Sequence, residues 1–284
     1  MKRIFFSNRF FQFVNTYSIW VALGSYASHI FFCKLYGTSY NSTIAVGLAL
    51  GVWFIYTLDH LLNGLVLQGN TTTVRHKKHF DHRFYITRLL VVVALALIIL
   101  SFRVPSQYYS FIGLLLFLTI VHFGINYLVP KRVKKLLFLK EVFIALVVSL
   151  GIASSALVGE VKINGNWSSL PFCIFLSLNL ANIMLFSYFD KEADQRSKTL
   201  SIASIYSDLT LKGIIYVCLL LSLVLGAYEF IYGQLEFLYF LLFIAMQITL
   251  LVITLFSSYF QQHDRYRFFG DLIYVYPLAV MPFL

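Results

Sequence analysis

Nine long apolar runs, separated by short polar segments, leave this chain few ways to fold. They fall at about 10–33, 41–62, 86–102, 108–129, 136–158, 170–189, 213–232, 235–256 and 270–284. A helix needs about 20 apolar residues to cross a hydrocarbon layer of about 30 Å. Inside that layer every backbone N–H and C=O has to find its partner within the segment, which selects helices. The expectation is an all-α, polytopic membrane helix bundle of about nine transmembrane helices, forming one domain over 1–284. Composition agrees: 60% of residues are hydrophobic, 12% are charged and the mean hydropathy is +0.80, where soluble domains carry about 25% charged residues. The basic start at Lys2 and Arg3 leads into a full-length span rather than a cleavable signal.

Charge placement tests the span count. With nine spans, the N-terminus and the segments after spans 2, 4, 6 and 8 share one side. Those segments hold Lys2, Arg3 and Arg9; Arg75, Lys77, Lys78, Arg83 and Arg88; Lys131, Arg132, Lys134, Lys135 and Lys140; Lys191, Arg196, Lys198 and Lys212; and Arg265 and Arg267. Only Lys34, Arg103 and Lys162 of the 22 basic residues fall on the other side. A missed or extra span would scramble that split, so it predicts an N-terminus and polar segments facing the cytoplasm across the inner or plasma membrane. The net charge of +10 then reflects topology and lipid headgroups, not nucleic acid. Cys33, Cys173 and Cys218 stand far apart in or beside apolar runs and read as small buried side chains.

Ionisable residues in membrane segments are costly and mark function. Asp59 lies near the inner end of span 2, with Asn63 four residues on and hence on the same helix face. Asp190 and Asp194, at the inner end of span 6, are spaced the same way. Two carboxylates on one face repel unless a cation lies between them. Oxygen ligands this few suit Mg²⁺, which keeps several waters and is completed by substrate phosphates. A solvated helix end, with Lys191, Arg196 and Lys198 forming local ion pairs, would explain the same pattern. Asp59 could likewise pair with Arg75 or His76. The dense cations Arg75, Lys77, Lys78 and Arg83 suit a phosphate-bearing ligand and equally suit anionic lipid. His76, His79 and His82 recur every three residues without the other marks of a zinc site. Lys140 and Glu141 mark either the interfacial start of span 5 or an edge of the same polar cavity. Asp264, Arg265, Arg267 and Asp271 read as ordinary interfacial charge.

The layout resembles the UbiA superfamily of intramembrane prenyltransferases, in which nine helices carry two aspartate-rich motifs at the inner ends of helices 2 and 6. The second motif, roughly D-x-E-x-D followed by Thr-Leu, is matched by Asp190-Lys191-Glu192-Ala193-Asp194 and Thr199-Leu200, with a shorter turn that lacks the usual glycine. The first, roughly N-D-x-x-D-x-x-x-D, keeps only Asp59. Asn63 takes the last aspartate position, and Ile55 and Tyr56 stand where the family has Asn and Asp. Arg75 matches the loop arginine, followed by His76 instead of Pro.

The resemblance implies a Mg²⁺-dependent enzyme that moves an isoprenyl group from a polyprenyl diphosphate to a lipophilic, possibly aromatic, acceptor. The implied metal and catalytic residues are Asp59, Asp190 and Asp194; the implied diphosphate-binding residues are Arg75, Lys78, Lys198 and Asn63. Glu192 receives no separate role. Loss of first-motif carboxylates also fits a protein that kept the fold to bind lipid or quinone and lost the chemistry. A transporter is disfavoured: Pro105, Pro130 and Pro171 lie at span edges, no internal repeat is evident, and the polar residues cluster at inner ends instead of the midplane.

Overall fold

The computed structural model describes residues 9–69, 73–127, 134–158, 169–196, 202–233 and 235–281. The described residues form a helical bundle with no strand among them. In chain order the helices are α1 (Arg9–Thr16), α2 (Ile19–Leu35), α3 (Ser42–Val66), α4 (Val74–Asp81), α5 (Arg83–Ser101), α6 (Tyr109–Tyr127), α7 (Lys134–Ile152), α8 (Ser154–Val158), α9 (Leu170–Arg196), α10 (Ile202–Ile205), α11 (Asp208–Tyr232), α12 (Phe237–Leu255), α13 (Ser257–Gln261), α14 (Arg265–Leu272) and α15 (Tyr276–Val280).

Among the described residues, six helices are long and apolar enough to cross a membrane: α3, α5, α6 with the 3₁₀ turn before it, α9, α11 and α12. This is an integral, multi-pass membrane protein. The remaining three expected spans take other forms. The first breaks at Tyr17 and Ser18, where Ser18 adopts φ 54°. The Tyr17 carbonyl at that break accepts from Trp53 Nε1 at 2.9 Å, so a group that a continuous helix would satisfy is satisfied from α3. The fifth, α7, opens with Lys134 and Lys135 and carries Lys140-Glu141 within its first turns. The ninth is not one helix but α14, a 3₁₀ turn at Ile273–Val275, and α15. The sixth runs to Arg196, past its expected end near 189, because the polar residues after Phe189 continue the helix beyond the apolar stretch.

Local chemistry sets several boundaries. Asn41 caps α3, its Oδ1 accepting from Thr43 N at 2.9 Å and Ile44 N at 3.2 Å. Ser207 caps α11 through Thr210 N, with Asp208 favourably placed in the first turn.

The helix α9 is the centre of the bundle. Its most apolar window is 56% buried, against 17% for α5 and 11% for the α6 segment, so α5 and α6 turn most of their surface to lipid. The core joins Phe175, Leu178, Met184 and Leu185 of α9 to Phe31 and Phe32 of α2 and Phe243 of α12. Polar side chains fasten the helices where a hydrophobic drive between them is weak. Asn179 donates to the Ala145 carbonyl and to Ser149 Oγ, both at 3.1 Å, and accepts from the Tyr274 hydroxyl at 2.8 Å. Ser28 Oγ donates to the Tyr274 carbonyl, and Gln247 donates to Ser222 Oγ at 2.7 Å.

The C-terminal segment therefore docks deep in the bundle, and glycines permit it. A Cβ on Gly24 would lie 2.6 Å from Tyr274 Cβ; one on Gly270 would lie 2.6 Å from both Asn182 Oδ1 and Phe186 Cε1. Gly24→Ala is expected to cost about 1–3 kcal/mol through overpacking. A melting temperature in detergent equal to that of the wild type would contradict this docking.

Candidate functional site

A cavity of about 250 Å³ opens among α3, α4, α6, α7, α9 and α14. Asp59 and Asn63 from α3, Arg75 from α4, and Asp190 and Asp194 from α9 all line it. The fourfold spacing does put each pair on one face. Lys191 turns away to pair with Asp208, and Glu192 pairs with Arg196 on the exposed side. Lys140 and Glu141 also line the cavity, and Glu141 is buried. Lys78 is half-buried on α4 and does not line it; Lys198 and Thr199-Leu200 lie outside the described residues.

Arg75 reaches the cavity because α4 folds back tightly on α3. A Cβ on Gly64 would meet the His76 carbonyl at 2.6 Å, and Gly69, at φ 75°, leaves room for the Phe80 ring. Arg75 pairs with Asp190 across 3.7 Å, not with Asp59. Burial, and then the adjacent Arg75, pull the His76 imidazole down to about 4, so it is neutral at physiological pH. His79 Nδ1 bonds the Arg75 carbonyl and His82 Nδ1 bonds the Tyr17 hydroxyl.

The two carboxylate centres differ in kind. Asp59 is held by neutral donors: Asn63 Nδ2 to Oδ2 at 3.0 Å, and Asn126 Nδ2 and the Tyr127 hydroxyl to Oδ1 at 3.2 and 3.1 Å. Tyr127 also donates to Asn63 Oδ1 at 3.1 Å. Asp190 is held by cations. The Arg267 guanidinium pairs with Oδ2, Arg75 approaches the same oxygen, and the Tyr266 hydroxyl donates to Oδ1 at 2.6 Å. Arg267 is braced by Phe186, whose ring centroid lies 4.9 Å from its guanidinium carbon.

Arg267 is therefore not ordinary interfacial charge. Its side chain, 11% exposed, stands in the cavity wall because α14 begins at Arg265, ahead of the expected span start, and packs on α9. Asn126 and Tyr127 escaped notice as well. Their only signal was a polar pair at the inner end of span 4, the position that singled out Asp59 and Asp190.

A second, larger cavity of about 490 Å³ adjoins the first and is almost wholly apolar. The two share Ile55, Tyr56, Thr119, Val147 and Val148 as lining. The residues at the lost first-motif positions, Ile55 and Tyr56, thus form the wall between a polar chamber and an apolar one.

Both oxygens of Asp59 and of Asp190 already accept hydrogen bonds or ion pairs. Among the described residues no group of three or more His, Cys, Asp or Glu could hold a metal ion. With the residues as placed, a metal ion at Asp59 or Asp190 would have to displace one of these partners.

Neither a family model nor a curated protein sequence matches the chain. Solved structures do. The chain superposes on an apo UbiA homologue from Aeropyrum pernix K1 with a TM-score of 0.63, at 12% identity, over 92% of this chain and 98% of the other. It superposes on a UbiA homologue from Archaeoglobus fulgidus, bound to DMAPP and Mg²⁺, with a TM-score of 0.60, at 14% identity, over 95% of this chain and 99% of the other. The chain has the fold of these UbiA homologues.

Proposed function

We propose that this protein is an intramembrane prenyltransferase of the UbiA type, taking an isoprenyl diphosphate and a lipophilic acceptor such as an aromatic ring. The observation that carries this is a polar chamber with two guanidiniums at Asp190 lying against an apolar chamber, the two sharing lining residues. That pairing matches an amphiphile with a compact anionic head and a hydrocarbon tail. The homologue bound to DMAPP supports the same ligand class.

In this reading the polar end faces the cytoplasm, the diphosphate lies in the polar chamber, and the tail occupies the apolar chamber. The reaction breaks the C1–O bond of the donor, and the diphosphate leaves with the electron pair. The acceptor supplies the pair for the new bond and then sheds a proton, which the leaving diphosphate is basic enough to take. The chain's contribution is electrostatic: guanidiniums aimed at oxygens where negative charge grows. Mg²⁺ is implied by the resemblance and is bound with DMAPP in the Archaeoglobus fulgidus homologue; here the oxygens of Asp59 and Asp190 already have partners.

The test is a donor screen. Protein in lipid nanodiscs should gain thermal stability with dimethylallyl or geranyl diphosphate and release diphosphate when given a suitable acceptor. Absence of binding for every isoprenyl diphosphate, with Mg²⁺ supplied, sinks the proposal. Binding without any turnover selects the second reading, a fold retained to hold lipid or quinone. The full occupation of Asp59 by neutral donors favours that alternative over other non-enzymatic roles.

A further inference from the structure

Asp190 is already counter-charged. One carboxylate stands against two guanidiniums, those of Arg75 and Arg267, while Asp59, Glu141 and Asp194 line other parts of the chamber. A divalent cation taken up by Asp190 has to displace an arginine. An anion placed at the two guanidiniums meets both positive charges at close range. Both arginines are more than nine-tenths or nearly nine-tenths buried as side chains, at 8% and 11% exposure, where charge is poorly screened.

Two further observations point to an anion. Arg75 lines the cavity, is itself 7% exposed, and its Nε has no hydrogen-bond partner; a buried N–H left this way is costly. Arg267 uses one donor on Asp190 and Nε on the Tyr266 hydroxyl, and a guanidinium has five N–H donors in a planar fork suited to phosphate oxygens. The same corner sits at the polar end of the paired chambers, where the head of a long amphiphile would lie.

We propose that Arg267, together with Arg75, binds the diphosphate of the substrate directly, so that the guanidinium pair takes the place of a divalent cation at Asp190. This rests on the isoprenyl diphosphate reading above. Asp190 then serves to position the two guanidiniums, and the C-terminal segment contributes a binding residue to the site through α14. Neither aspartate-rich motif contains Arg267.

The experiment measures binding of inorganic diphosphate and of geranyl diphosphate to the full chain in nanodiscs, by calorimetry, in EDTA and in Mg²⁺. Wild type is expected to bind both in EDTA. Arg267→Gln is expected to weaken binding about tenfold or more in either condition, since a charge-assisted phosphate contact is lost. Arg267→Lys should restore part of the loss, keeping the charge without the fork. Asp190 retains Arg75 and Tyr266 in Arg267→Gln; should that variant fail to fold, Arg267→Lys against wild type gives the same comparison. Binding by wild type only in Mg²⁺ overturns the inference while leaving the prenyltransferase reading in place. So does an Arg267→Gln or, failing its folding, an Arg267→Lys affinity equal to that of the wild type in EDTA. A wild type that binds neither compound under either condition removes both.

Discussion

Asp190→Ala is expected to cost more stability than any other single substitution at the site, about 3–5 kcal/mol, because it strands two buried guanidiniums without a counter-charge. Arg75 and Arg267 both depend on this carboxylate, and the Tyr266 hydroxyl loses its acceptor with it. Asp59→Ala is the instructive contrast. Its partners are the amides of Asn63 and Asn126 and the hydroxyl of Tyr127, all neutral, so the expected cost is about 1–3 kcal/mol. The order of the two melting temperatures in detergent checks the distinction. A cycle adds force: Asp190→Ala combined with Arg267→Gln should be less damaging than the sum of the singles, since residues in one ion-pair network are not additive. Equal melting temperatures for Asp190→Ala and wild type would mean that the cluster holds nothing together.

The second large effect concerns chain length. Gly47 and Gly51 lie one turn apart on α3, both line the apolar chamber, and a Cβ on either would meet nothing within 4 Å. Gly51→Leu therefore projects a side chain into open space without jamming the helix. Stability should hold or rise, because glycine in a helix interior is disfavoured by about 1 kcal/mol relative to alanine. The tail loses the space instead. Burying a CH₂ from water gives about 0.8 kcal/mol, so excluding one five-carbon unit removes up to about 4 kcal/mol. Geranyl diphosphate is expected to bind at least about tenfold more weakly, with dimethylallyl diphosphate little changed. Titration of both donors against wild type and Gly51→Leu decides it. An equal loss for the short and the long donor would place the tail outside this chamber.

These two residues also show how unevenly the site could be read in advance. Gly51 sits in an apolar run, and nothing in its neighbours along the chain separates a glycine that opens a cavity from one that admits a helix. Gly24 and Gly270 have similar local settings and are instead filled against by Tyr274 and Phe186. Asp190 was conspicuous from the first, since a carboxylate at the end of a span is rare and its partner four residues on shares its face. What Asp190 does was not conspicuous. Its i+4 spacing to Asp194 suggested a shared cation, whereas the structure supplies arginines from α4 and α14.

The sequence by itself determined the solvent, the helical class, most of the spans and the end of the bundle that carries the polar residues. A bilayer imposes one condition on each segment separately: enough apolar length, internally satisfied backbone, basic residues on one side. Conditions that act segment by segment can be read segment by segment. Tertiary structure alone decided which groups meet. Arg267 reaches Asp190 from 77 positions away and Tyr127 reaches Asp59 from 68, through helix packing that no local period encodes. It also broke the first and last expected spans, at Ser18 and at Ile273–Val275, where contacts from Trp53 and around Tyr274 satisfy or bury what a continuous helix would have handled alone. The pairing of Asp190 with two arginines follows from that packing.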